Sequence, residues 1–135
     1  MAKLFESEFH KGVMVAVVDD MDYQYQTLAP LFNEYGYGFV LPDQKLIFIE
    51  GTHDKDVQKM VEAHEVAHIV MGHTGIKGPN DEAQADTWAI IHLRKYGYHN
   101  EASELQRNFK FRNGYSYNHI QNKRNKIVAY SYTQI

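Results

Sequence analysis

The apolar residues of this chain change their spacing once. Up to Gly51 they fall in short runs with a period of two, and from Asp54 they recur every three or four positions. The first spacing puts side chains on alternate faces of a strand, and the second lines one face of a helix. "GVMVAVVD" (12–19) is an apolar, β-branched run that predicts a buried strand. "YGFVLP" (37–42) and "KLIFIEG" (45–51) predict two more strands, joined by a tight "PDQ" turn. In the second of these, Leu46, Phe48 and Glu50 alternate with Ile47 and Ile49. "DYQYQTLAPLFNEYG" (22–36) places Leu28, Leu31, Phe32 and Tyr35 at helical spacing, with Pro30 predicting a kink or a later start.

Beyond Asp54, the residues Val57, Val61, His64, His68 and Met71 form one stripe of a helix. Asp54 and Asp56 suit its positive N-terminal end, and Gly72 can terminate it. A polar loop, "HTGIKGPN", leads to a second helix predicted from about Asp81 to Tyr96. That helix has acids in its first turn, Arg94 and Lys95 in its last, and Gly97 just beyond. Residues 100–114 predict a further helix capped by Asn100, with Ala102, Leu105 and Phe109 on one face and Gly114 as its end. A hairpin turning at Asn113–Gly114 is the competing reading. "NHIQNKRNK" reads as helical, and "KIVAYSYTQI" as a strand or tail.

Composition narrows the chemistry. The 135 residues suffice for one domain with one modest core. No run of eighteen apolar residues appears, so no membrane span is expected. The start, "MAKLFESEFHKG", carries acids and lacks an apolar core, which argues against a secretory signal and makes the cytoplasm the expected address. With no cysteine, disulfides, thiolate metal sites and cysteine nucleophiles are all excluded. Residues 1–104 hold 8 Lys+Arg against 17 Asp+Glu, a net −9, whereas residues 105–135 hold 6 Lys+Arg and no acid. That balance disfavours nucleic-acid binding by the whole domain. It leaves a remote alternative in which the basic, Tyr-rich C-terminal segment (105–135) touches nucleic acid.

Any metal must therefore be held by His, Asp or Glu, and residues 64–68 read "HEVAH". On a helix, His64 and His68 lie one turn apart on the same face, about 5–6 Å between Cβ atoms, so both imidazoles can reach one ion. Glu65 flanks that face by about 100°, too strained for a third ligand but within reach of a water on the metal. Chance placement on an amphipathic helix is the bland alternative. The second motif, "EAQAD" (82–86), weighs against it, because Glu82 and Asp86 share a face at i, i+4. Two helices packed antiparallel would let Glu82 complete a His2Glu set. Asp86, set among Ala83, Ala85, Ala89 and Ile90, would accept a hydrogen bond from a ligand histidine's other nitrogen. His73 lies nine residues after His64, which is the far side of an unbroken helix, and reads as a helix-end or loop residue. His10, His53, His92, His99 and His119 have no ligand spacing and read as surface or packing.

His64-Glu65-Val66-Ala67-His68 followed by Glu82-x-x-Ala85-Asp86 resembles the gluzincins, and the order of strands and helices is similar to the small ImmA/IrrE-type peptidase domain. The resemblance spans about residues 36–93. It implies metal ligands at His64, His68 and Glu82, Glu65 as general base and Asp86 as the supporting acid. The expected fold is α+β, a small minimal zincin-like domain. In it a three-stranded sheet packs on the active-site helix and the following glutamate-bearing helix, with a helical C-terminal part. One domain (1–135) is expected, its core motif region 36–96, free-standing rather than joined to a DNA-binding helical module. The expected function is zinc-dependent hydrolysis of a peptide or protein substrate, with Zn2+ as cofactor. The alternative is a metal-binding but non-hydrolytic regulatory or interaction domain. "KLIFIE" is the expected sheet edge for an extended substrate.

Overall fold

The computed structural model describes residues 3–22, 25–35, 37–73 and 78–112. Four strands form one sheet: β1 (Lys3–Glu6), β2 (Met14–Val18), β3 (Gly38–Leu41) and β4 (Leu46–Glu50). Four helices accompany it: α1 (Tyr25–Tyr35), α2 (Lys55–Val70), α3 (Pro79–Lys95) and α4 (His99–Arg112). The class is α+β. The sheet order is β1-β2-β4-β3, with β2 and β4 parallel and both outer pairs antiparallel.

Two expectations need correction. The sheet has four strands instead of three, because "KLFE" at the start pairs with β2 in the register Lys3↔Val17 to Glu6↔Met14. "KLIFIE" is also no edge. β4 is bonded to β2 on one side and to β3 on the other, which leaves β3 and β1 as the outer strands among the described residues. The "PDQ" turn forms one turn of 3-10 helix between β3 and β4, as their spacing predicts.

Alternation along the strands divides the core between the two faces of the sheet. Val15 and Val17 of β2 and Ile47 and Ile49 of β4 join the larger cluster with Met60, Val61, Ala63 and Val66 of α2. Ala89, Ile90 and Leu93 of α3 and Ala102 and Leu105 of α4 complete it. The opposite face carries a smaller, aromatic cluster in which Val18, Phe32 and Phe39 pack with Phe48 and with Leu28 and Leu31 of α1. Pro30 is accommodated inside α1, which begins at Tyr25. α3 begins two residues before the predicted start, with Pro79 at its first position, where the missing N–H costs nothing. α4 is helical where the hairpin was the rival, but it starts at His99, so Asn100 lies inside its first turn and is not its cap. Gly114, "NHIQNKRNK", "KIVAYSYTQI" and His119 lie outside the described residues. Among the described residues, no helix is long and apolar enough to cross a membrane.

Candidate metal centre

α2 and α3 pack side by side through small residues. Ala63 and Ala67 on α2 and Ala83, Ala85 and Ala89 on α3 are fully buried, and methyl side chains permit close approach of the two backbones. The pairing runs antiparallel, since the early residue of one motif meets the late residue of the other. His64 Nδ1 lies 2.8 Å from Asp86 Oδ1, and His68 Nε2 lies 3.0 Å from Glu82 Oε1. The imidazoles are almost wholly enclosed, with His64 6 % and His68 2 % exposed.

Two imidazole nitrogens and one carboxylate converge. His64 Nε2 and His68 Nε2 are 3.1 Å apart, and Glu82 places its two oxygens 3.3 Å from the first and 3.0 Å from the second. A tetrahedral ion with bonds of 2.0–2.1 Å has ligand–ligand edges of about 3.3–3.4 Å. The observed separations, two of them to different oxygens of one carboxylate, are equal to or slightly shorter than such edges, so a small outward adjustment would fit the residues present to a small divalent ion. Glu65 stands beside this triangle, its Oε1 3.9 Å from His64 Nε2, and groups with the two histidines in a cluster able to hold a metal.

Proton positions follow from the outer partners. Asp86, 0 % exposed, accepts from His64 Nδ1, which leaves Nε2 of the neutral ring with its lone pair. For His68 the outer partner is His73, with the two Nδ1 atoms 3.0 Å apart. His73 turns its Nε2 to Gln84 Oε1 at 2.9 Å and to Asp81 Oδ1 at 3.5 Å, and both of these are acceptors. Its Nε2 therefore carries the proton in the neutral ring. Its Nδ1 accepts, and His68 Nδ1 donates. Each ring thus turns its Nε2 to the carboxylate of Glu82, a contact that a proton or a cation must bridge. Burial raises the pKa of Glu82, but the adjoining imidazoles outweigh it and hold the carboxyl well below the usual carboxylate range.

The sheet contributes a wall. A Cβ at Gly38, the first residue of β3, would lie 2.6 Å from Val61 Cγ1 and 3.7 Å from Glu65 Cγ. The outer strand thus starts directly against the turn of α2 that carries Glu65, and only a residue without a side chain fits there.

All five predicted site residues, His64, Glu65, His68, Glu82 and Asp86, come together at the α2–α3 interface. His10 and His99 are exposed, His53 bonds Glu50 and stacks near Tyr37, and His92 stacks on Trp88, all consistent with surface and packing roles. The sequence reading missed His73 as the partner of His68 and Gln84 as the partner of His73. The angular argument for His73 holds only on an unbroken helix, and α2 ends at Val70. Gly72 adopts φ +70°, Gly72 N–H bonds Ile69 O, and His73 N–H bonds back to His68 O. This Schellman reversal folds His73 over the last turn and onto His68. The usable signal was the glycine immediately before His73. No family model, curated protein or solved structure matches the chain.

Proposed function

We propose that the chain is a small gluzincin-type zinc metallopeptidase domain that hydrolyses peptide bonds, with His64, His68 and Glu82 as metal ligands and Glu65 as general base. The observation that carries this reading is the convergence of two Nε2 atoms and one carboxylate within 3.0–3.3 Å, with Glu65 alongside. Two imidazoles and a carboxylate make the three-ligand set of hydrolytic zinc, which keeps a fourth position open. When bound, zinc would supply a water whose pKa is lowered to about 7 and a Lewis acid for the substrate carbonyl oxygen.

The chain's own residues do the rest. Glu65, part-exposed at the rim of the triangle, takes the proton of the attacking water and returns it to the leaving amine. Asp86 holds the His64 ring with Nε2 inward. β3 offers the outer edge of the sheet beside Glu65, where an extended peptide can add by backbone pairing. Orientation of the scissile carbonyl over Glu65 is thereby tied to the strand that abuts it.

Turnover of a generic unstructured peptide library tests the proposal. Glu65→Gln should lower turnover by roughly 10²–10⁴-fold, the range of a general base, while retaining the metal. Metal bound by the wild type without turnover would return the domain to a non-hydrolytic, metal-dependent regulatory or interaction role.

A further inference from the structure

The two ligand histidines are supported by different chemistry. His64 leans on a buried carboxylate, Asp86, whereas His68 leans on another imidazole, His73, which is itself fixed by Gln84. We propose that His73, backed by Gln84, is a positioning residue that holds His68 in its Nδ1-protonated tautomer and aims Nε2 at the metal site. This inference rests on the metal-site reading above for its purpose, though not for its geometry.

Three observations carry it. The direction of the relay is set by the acceptors at its outer end. Gln84 Oε1 and Asp81 Oδ1 both face His73 Nε2, so the proton between the two Nδ1 atoms belongs to His68. The placement of His73 is built into the backbone, because the His73 N–H···O=C His68 bond at 2.9 Å joins the same two residues whose rings meet. Finally, His68 is buried, so a ring nitrogen turned away from the site needs a fixed partner. The residues behind a metal-bound histidine fix its orientation, and their loss typically costs 10–100-fold in affinity. A neutral imidazole does this without adding a third anion beside Asp86 and Glu82. Gln84 is exposed on α3, so the relay reaches from the buried ligand to the protein surface.

The test uses the full chain with 15N-labelled histidine, read by long-range 15N–1H correlation in the zinc-loaded protein and, for comparison, in the metal-free one, and by competitive zinc titration. Wild-type His68 should be protonated on Nδ1. In His73→Ala that tautomer should redistribute and zinc affinity should fall by roughly 10–100-fold. His73→Gln, which keeps a carbonyl acceptor, should recover part of the affinity. Gln84→Leu, a change at an exposed position that leaves the core intact, should weaken zinc less than His73→Ala, and Gln84→Glu should not. Unchanged His68 tautomer and unchanged affinity in His73→Ala would overturn the proposal, as would a wild-type His68 protonated on Nε2. A wild type that binds no zinc would instead sink the metal reading. The relay would then be judged on the metal-free spectra, where redistribution in His73→Ala supports it and identity with wild type refutes it.

Discussion

Helix α2 buries polar groups on two faces, and the two clusters are solved differently. About 200° round the helix from His64 sits Glu62, 2 % exposed. Its carboxylate accepts from Ser7 Oγ at 2.7 Å and pairs with Lys59 Nζ at 3.0 Å. Lys59 also bonds Glu8 at 2.9 Å and lies over the rings of Phe9 and Tyr98, while the Tyr98 hydroxyl bonds Glu8. On that face the sequence supplies the ammonium that a buried carboxylate requires. On the other face it supplies imidazoles and carboxylates arranged as the edges of a coordination polyhedron. A buried acid is thus not by itself a sign of a site. What separates Glu82 from Glu62 is the geometry of its neighbours: Glu62 points at a lysine, Glu82 at the Nε2 atoms of two histidines 3.1 Å apart.

The sharpest way to break this comparison is to remove the lysine. Lys59→Met leaves Glu62 enclosed with Ser7, and should cost roughly 3 kcal/mol in chemical denaturation, towards the low end for a broken buried pair because Lys59 is partly exposed. On the proposed metal site, zinc should stabilise this variant and the wild type equally, since ligand binding to the folded state adds stability by mass action. Loss of the zinc effect in Lys59→Met would mean that the two clusters are one. A smaller effect is expected at Gly38. Gly38→Ala places a methyl against Val61 and Glu65, and overpacking of this kind should cost about 1–3 kcal/mol in a denaturant melt. A neutral result would show that β3 is not clamped to the metal-facing side of α2.

The smallest effect is the pH response of the Glu62 side. Burial alone would lower the Lys59 pKa, but the bonds and charges of Glu8 and Glu62 outweigh it and raise it above the ordinary 10.5. Burial raises Glu8, and the Tyr98 hydroxyl with Lys59 overcomes this and holds it below 4.5. The Lys59 contribution is therefore fully present below about pH 10.5 and is lost as pH rises through its raised folded value. The Glu8 contribution is present above about pH 4.5 and is lost as pH falls through its depressed one. Stability measured across pH should show both shoulders in the wild type, and Lys59→Met should flatten them. Identical profiles would deny Lys59 its place at the centre of that network.

What the sequence made legible follows the same division. β2, β3, β4, α2 and α3 announce themselves by period, because each buries a whole face against the core. β1 does not: three of its four residues are exposed, and nothing alternates in "KLFE". The order β1-β2-β4-β3 was illegible too, since strand pairing is decided by contacts far apart in the chain, and "KLIFIE" looks the same at an edge or in the middle. In the site, His64, His68, Glu82 and Asp86 could be read because helical spacing fixes which side chains share a face. Asp86 stood out as a carboxylate among alanines. His73 and Gln84 could not. One depends on a reversal at Gly72 after the periodicity stops, and the other is an exposed polar residue in mid-helix, with nothing to mark it.

The central claim is that His64, His68 and Glu82 share one divalent ion. The most direct measurement is the metal content of the full chain purified without added zinc, by mass spectrometry of the elements, beside Glu82→Ala with its helicity checked by circular dichroism. The prediction is about one zinc per wild-type chain and far less in the folded variant, because two imidazoles alone make an incomplete set. A wild type that stays metal-free even after exposure to zinc, or a variant that retains as much as the wild type, would contradict it.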